Sequence, residues 1–283
     1  MILVTGATGN IGSELVDQLV TKGAPVRVIS REERKLARLD SRVERVIGDL
    51  HERATMQNAL KGVDRLFMIS ILFDPNHEAD RLLIEEAKQA GVRRVVKISS
   101  TAVRLGTKSG IGRLHREKEQ FVEESGIPWT FLRPGAFMSN ALQWVPTIKT
   151  QGKVFNPSGD GKFAPISPHD IAAVAAVALT TDGHEGKAYE LTGSELMSTR
   201  DQVRILSQVL GKPVECVDIP ISAAAERMRA AGWPETLVEG MTDVWSRLLD
   251  GRGAFQTDEA EGLIGHAPQL FETWCREHRA AFV

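Results

Sequence analysis

Short apolar runs alternate with amphipathic stretches from the first residue onward. Residues 1–5 (MILVT) are apolar and β-branched, the pattern of a buried strand. A glycine-bearing stretch, 6–12, follows, and then Ile11, Leu15, Val16, Leu19 and Val20 recur on one helical face. The same alternation predicts strands at 24–30 (APVRVIS), 43–47, 64–69 running on to 73, 92–98 (VRRVVKI) and 127–132 (IPWTFL). Between them lie helical patterns, one carrying Ala79, Leu82, Leu83 and Ala87 after a loop through Pro75 and His77, another over 113–125. Five or six βα units in succession predict an α/β fold, a doubly wound parallel Rossmann sheet with right-handed crossovers.

Beyond Arg133 the pattern loosens, and 136–163 mixes aromatic residues with Gly and Pro. Ser167-Pro168-His169-Asp170 reads as the cap of an apolar helix over 171–179. A strand at 187–192 (KAYELT), a helix at 199–210, a strand at 214–219, a helix at 222–231 and a mainly helical last fifty residues complete the chain. The second half has no glycine turn of the phosphate-binding kind, so it reads as substrate-side structure. The expected division is 1–133 with 164–193 as the nucleotide-binding domain, and 134–163 with 194–283 as a smaller α/β substrate domain.

Length and charge narrow the field. A chain of 283 residues holds one large domain or two modest ones with ample core. A net charge of −2 without a long Lys/Arg run argues against a nucleic-acid surface. The longest apolar stretch, 171–179, is too short and alanine-rich to span a bilayer, so no membrane partner is expected. The N-terminus is itself the first core strand, and no leader is expected. Cys216 and Cys275 have no motif around them, which predicts packing thiols in a reduced, cytoplasmic protein without a metal site.

Gly6, Gly9 and Gly12 sit between strand and helix, where glycine allows a tight turn and lets a pyrophosphate approach the backbone. The first-turn N–H groups and the positive helix end then face the anion. At the end of the second strand, where an acidic residue would hold the ribose diol of NAD, stand Ser30 and Arg31, with Arg34 and Lys35 behind. A guanidinium suits a 2′-phosphate, which favours NADP(H) over NAD(H). The alternative is that Arg31 is a solvated helix-start charge, diluted by Glu32 and Glu33. Asp49 ends the third strand and is placed either beside the adenine amino group or as the N-cap of the next helix. The loops after the fourth and fifth strands border the nicotinamide by the carboxyl-edge rule.

The runs VTGATGNIG, GDL and SGIPWTFLRPGAFMSN together resemble the NmrA-like branch of the atypical short-chain dehydrogenase/reductases. That branch includes triphenylmethane reductase and the type-2 NAD(P)H:quinone oxidoreductases. ISPHDIAAVAAVALTTDGHEGKAYELT continues the likeness, and ISAAAERMRAAGWPE does so more weakly. The resemblance implies a Rossmann domain plus a small C-terminal α/β domain with a substrate cleft between them. It implies pyrophosphate contacts at Gly6, Thr8, Gly9, Asn10, Ile11 and Gly12, Arg31 on the 2′-phosphate, and Asp49 and Leu50 by the adenine. It places Ser70, Ile71, Leu72, Ser99, Pro134, Gly135 and Phe137 around the nicotinamide and its ribose.

Conventional members of that superfamily use a Tyr-x-x-x-Lys pair, the phenol exchanging a proton while the ammonium lowers its pKa. This chain has one tyrosine, Tyr189, on a strand of the second half, and the places of the pair fall on Ile111 and His115. The surviving enzymatic reading is hydride transfer from NAD(P)H to a readily reduced quinone-like or conjugated aromatic acceptor, which needs no strong acid. His115, with a pKa expected near neutrality, and Ser99 are the catalytic candidates. Lys97, unusual in a buried parallel strand, is expected to snorkel. Phe73, Met138, Trp144, Phe155 and Trp233, with Phe137, are candidates to line a pocket for a small apolar or aromatic substrate. The alternative is an NAD(P)-binding redox sensor or regulator without turnover, with a regulatory protein partner.

Overall fold

The computed structural model describes residues 1–70, 77–105 and 110–283. The elements in chain order begin β1 (Ile2–Val4), α1 (Asn10–Thr21), β2 (Val26–Ser30), α2 (Glu33–Leu36), β3 (Glu44–Ile47), α3 (Arg53–Leu60), β4 (Arg65–Met68), α4 (Glu78–Gln89) and β5 (Arg94–Ile98). They continue with α5 (Gly110–Ser125), β6 (Trp129–Pro134), α6 (Val145–Gln151), β7 (Lys153–Asn156), β8 (Lys162–Phe163), α7 (Pro168–Thr180) and β9 (Lys187–Leu191). The rest are β10 (Met197–Ser198), α8 (Thr199–Leu210), β11 (Glu215–Asp218), α9 (Ile221–Ala230), α10 (Glu235–Leu249), α11 (Glu259–Ile264), α12 (Phe271–Glu277) and α13 (Arg279–Phe282). None of the helices among the described residues is long and apolar enough to cross a membrane.

Seven strands form one sheet in the order β3-β2-β1-β4-β5-β6-β9, and the pairings from β3 through to β6 are parallel. This is the doubly wound α/β fold that the alternating pattern predicts. The strand order reverses at β1, so the crevice beyond the carboxyl ends of β1 and β4 is the topological switch point where such sheets take ligands.

The chain forms two compact units. The first comprises Met1–Ser100, Leu114–Arg133 and Pro168–Tyr189. Its central strands β1, β4, β5 and β6 are mostly buried on both faces, which is why they read as nearly continuous apolar runs, whereas the edge strand β3 is largely exposed. On one face Leu3, Leu66, Val95 and Phe131 meet Met56 and Leu60 of α3, Leu83 and Ile84 of α4 and Val122 of α5. On the other face α1 packs against α7, whose first residue, Pro168, suits a position that needs no N–H. Gln18 of α1 donates to the His169 carbonyl at 3.1 Å, and the His169 ring meets Glu14 at 2.9 Å.

The second unit comprises Thr101–Arg113, Pro134–Ser167 and Glu190–Val283. The loose pattern of 136–163 resolves into a 3-10 turn (Met138–Trp144), α6 and β7. β7 pairs with β11 in parallel, and β8 with β10 antiparallel. Met138, Ile148, Val154, Leu206, Phe271, Trp274 and Phe282 form the core. A reciprocal cap, Ser198 with Asp201, starts α8, and Gly211 in the left-handed region (φ 70°) ends it.

Candidate functional site

The site starts from the turn after β1. Gly6 has φ 66°, a left-handed conformation that costs glycine little. A Cβ on Gly12 would stand 2.1 Å from the Gly6 carbonyl oxygen, so the helix folds back on its own turn only with glycine there. Gly9, the N-cap residue of α1, is different: it is exposed, and a Cβ would meet only the Gly6 oxygen, at 3.4 Å. Its missing side chain leaves the approach to the helix mouth clear, and no side chain caps α1. Thr8, Gly9 and Asn10 are exposed, whereas Ile11 and Gly12 are buried under the helix.

Thr5 pins this turn to the neighbouring strand. Its N–H donates to the Phe67 carbonyl at 3.0 Å, and its hydroxyl accepts the Ile69 N–H at 2.9 Å. The next residue, Ser70, carries a buried Oγ with no hydrogen-bond partner among the described residues. A helix N-terminus without a side-chain cap and a buried hydroxyl with no partner among the described residues fit the polar edge of a dinucleotide. Ile71, Leu72 and Phe73 lie outside the described residues.

At the other end of this edge, parallel pairing of Ser30 with Ile47 puts Arg31 and Asp49 side by side. Arg31 Nη1 lies 3.7 Å from Asp49 Oδ2 and is 76% exposed, so the guanidinium is accessible to an anion. Asp49 Oδ1 accepts the His51 backbone N–H at 2.9 Å and meets His51 Nδ1 at 2.8 Å. The His51 N–H and ring, with Arg31, hold the Asp49 carboxyl below the usual range. The alternative placing of Asp49 as a helix N-cap is corrected: α3 starts at Arg53 with Glu52 as its N-cap, and Asp49 instead closes its own two-residue turn. Leu50 packs against the apolar face below. Lys35 is tied to Glu32 at 2.5 Å, which leaves Arg31 better placed than Lys35 for a phosphate.

Along β5 the period of two puts Val95, Lys97 and Ser99 on the face covered by α4 and α5. Lys97 and Lys118 are fully buried there, with Glu119 and Asp80. Lys118 Nζ lies 2.9 Å from Asp80 Oδ2. Glu119 takes two parallel hydrogen bonds from Arg133, both at 2.8 Å. Burial would push the Glu119 carboxyl up, but Arg133, with Ser99 beside it, holds it below the usual range. Lys97 does not snorkel, which corrects that expectation: its ammonium donates to the Ile98 carbonyl at 2.9 Å, and burial lowers its pKa to about 8.

His115 is half-buried at the rim of this cluster, and its Nδ1 has no partner among the described residues. Burial first, then the Lys97 and Lys118 ammoniums, push its pKa down to about 3. The expectation of a near-neutral pKa is therefore corrected. The imidazole is neutral at physiological pH and can orient a ligand by hydrogen bonding, but it is no ready proton donor. Sequence reasoning missed Asp80, Lys118, Glu119 and Arg133. A signal was present: His115, Lys118, Glu119 and Val122 follow i, i+3, i+4, i+7, the inward stripe of α5.

The remaining expected positions lie mainly in the second unit. In the second unit Pro134 is buried, the Gly135 N–H donates to the Leu191 carbonyl at 2.9 Å, and Phe137 bridges to Ile166. Met138, at 1% exposure, belongs to the core rather than a pocket, and Trp144 packs against the same core. Phe155 lies under the Arg227 guanidinium at 4.0 Å, and Trp233 is 40% exposed. Ile111 of α5 packs so closely on Gly240 that a Cβ there would fall 2.4 Å from it. Tyr189 is bound to His184 Nδ1 at 2.8 Å, a structural role. Cys216 and Cys275 are free, and burial pushes the Cys275 thiol up to about 12, as suits packing residues.

The model of the NmrA-like family matches residues 1–263. The chain belongs to the NmrA-like family. It is 40% identical over 283 residues to the (4-alkanoyl-5-oxo-2,5-dihydrofuran-3-yl)methyl phosphate reductase of Streptomyces griseus, covering all of this chain and 99% of that one. It is 36% identical to the NAD(P)H azoreductase of Xenophilus azovorans, with the same coverage. Among solved structures, the NADPH-dependent quinone oxidoreductase of Escherichia coli complexed with NADPH superposes with a TM-score of 0.86 at 29% identity, covering 99% of this chain and 100% of that one. The NmrA-like assignment thus agrees with the sheet order and the glycine turn described above.

Proposed function

We propose that this NmrA-like chain is an NAD(P)H-dependent reductase that delivers hydride to a quinone-like or conjugated aromatic acceptor. The observation that carries the reading is the N-terminus of α1, without a side-chain cap, at the sheet's switch point, where the Ser70 hydroxyl also has no partner among the described residues. The names of the full-length relatives support the acceptor class. An azo bond and a dihydrofuranone alkene are each conjugated to rings or carbonyls that can spread the incoming charge.

In this reading the pyrophosphate lies against the turn from Gly6 to Gly12 and takes the first-turn N–H groups of α1, from Asn10 to Gly12, while the Gly9 N–H stays on the Gly6 carbonyl. Arg31 meets a 2′-phosphate, giving a preference for NADP(H), and Asp49 and Leu50 flank the adenine. When bound, the reduced nicotinamide supplies the hydride. Ser99 and the neutral His115 imidazole orient the acceptor by hydrogen bonds, and solvent delivers the proton that completes reduction. The two free cysteines suit a cytoplasmic setting.

The test is oxidation of NADPH by the purified protein with a panel of quinones, azo dyes and conjugated lactones. Loss of nicotinamide absorbance with at least one acceptor is expected. No oxidation with any acceptor, at saturating protein, overturns the reading. A His115→Ala protein with unaltered turnover would return His115 to the scaffold.

A further inference from the structure

The dinucleotide edge contains a feature that the phosphate-binding reading does not use. The guanidinium best placed for a 2′-phosphate is not bare: Asp49 Oδ2 stands 3.7 Å from it. Asp49 is itself fixed, because Oδ1 accepts the His51 N–H at 2.9 Å and meets the His51 ring at 2.8 Å. Gly48 offers no slack behind it, since a Cβ there would collide with Thr55 at 2.4 Å, and its N–H is held by the Ser30 carbonyl at 3.1 Å. One oxygen of a clamped carboxylate thus points at the phosphate-seeking cation.

We propose that Asp49 moderates the cofactor preference of this protein by holding a carboxylate charge 3.7 Å from Arg31, so that a 2′-phosphate meets a partly neutralised guanidinium and a neighbouring negative charge that a bare ribose does not feel. The proposal rests on the dinucleotide lying at this sheet edge. It turns the NADP(H) preference into a tuned quantity. With Arg31 paired, NADPH gains less over NADH than a free guanidinium would give, and the protein accepts both reduced nucleotides. The pair is solvent-exposed, so its effect is modest: releasing Arg31 is expected to raise the preference about three- to fivefold.

The substitution that isolates the effect is Asp49→Asn. Asparagine keeps an oxygen to accept the His51 N–H, so the turn survives, and it removes only the charge facing Arg31. Any change in contact with the adenine acts equally on NADPH and NADH and cancels in the ratio of their affinities. The experiment is calorimetric titration of NADPH and NADH into wild type, Asp49→Asn, Arg31→Ala and the double variant. The proposal expects the NADPH/NADH affinity ratio to rise about three- to fivefold in Asp49→Asn and to fall in Arg31→Ala. In the Arg31→Ala background the Asp49→Asn substitution should move the ratio by less than about half as much, because the carboxylate acts mainly through the guanidinium. An unmoved ratio in Asp49→Asn overturns the proposal, as does an effect that persists in full without Arg31. If wild type binds both nucleotides, these outcomes leave the reductase reading intact. If it binds neither, both readings fail.

Discussion

At the carboxyl end of β1, polar recognition is left to the backbone: glycines clear the space and helix N–H groups face outward. At the carboxyl ends of β5 and β6, it is done by ionised side chains taken out of water, with Lys97, Lys118 and Glu119 fully buried. The first arrangement costs little to fold and leaves donors for a ligand. The second is expensive to bury, and its charges are spent on one another. The contrast suggests a division of labour in which the first region binds and the second holds neighbouring groups in one geometry.

The sharpest way to break this contrast is at Lys118. Replacing it by Met leaves the Asp80 carboxylate, itself 4% exposed, without the ammonium 2.9 Å away. The expected loss is about 3–5 kcal/mol of stability. A Lys118→Met, Asp80→Leu double variant should recover part of it: no bare carboxylate is left, although Lys97 loses the Asp80 charge that opposes its own desolvation. Urea unfolding reads both. A single variant within about 0.5 kcal/mol of wild type would show that the cluster is not a cooperative ionic core.

The glycines test the other region, with a smaller effect on folding. A Gly12→Ala methyl would stand 2.1 Å from the Gly6 oxygen, and overpacking should cost about 1–3 kcal/mol. Gly9→Ala meets only an ordinary contact at 3.4 Å and should cost under about 1 kcal/mol as an N-cap change. Its methyl stands where the anion approaches, so NADPH affinity should fall at least about tenfold, by roughly 1.4 kcal/mol. Thermal unfolding and nucleotide titration separate the two variants: one loses the fold first, the other loses the ligand. Equal NADPH affinity in Gly9→Ala and wild type would move the phosphate away from this turn.

The two regions also differ in how legible they are in the sequence. Gly6 and Gly12 are legible because the turn admits no other residue type, and the strand and helix flanking them have strong periodicity. The sheet was legible for the same reason, since doubly buried strands leave continuous apolar runs. The ionic cluster was not. Lys97 looks like a lysine that should reach for water, and nothing within VRRVVKI tells that Asp80 and Glu119 arrive from two helices to cover it. Met138, expected at a pocket, is core for a similar reason, its distant partners, and Trp144 packs beside it. Their neighbours in the core include Phe271 and Trp274, far along the chain, and only the tertiary fold brings them together. Asp49 was placed at the correct edge, but its clamp by His51 depends on a two-residue turn that strand periodicity does not register.

The smallest expected effects are shifts of stability with pH, and they probe whether the buried charges act as described. Lys97 titrates at about 8 in the fold, under burial, with Asp80 and Glu119 opposing the shift and Lys118 adding to it. The unfolded chain keeps that proton up to about 10.4. Between these values the unfolded state binds more protons, so stability should rise with pH across this window. Lys97→Met should flatten the rise. His115 titrates at about 3 in the fold, with Lys97 and Lys118 on the lowering side and Glu119 opposing, against about 6.5 when unfolded. The unfolded state again binds the extra proton, so stability should fall as pH drops from about 6.5 toward 3, and His115→Gln should remove part of that fall. Unfolding midpoints in urea from pH 4 to 10 distinguish the two limbs. A wild-type curve flat above pH 8 would mean that the Lys97 ammonium is compensated more fully than its surroundings indicate.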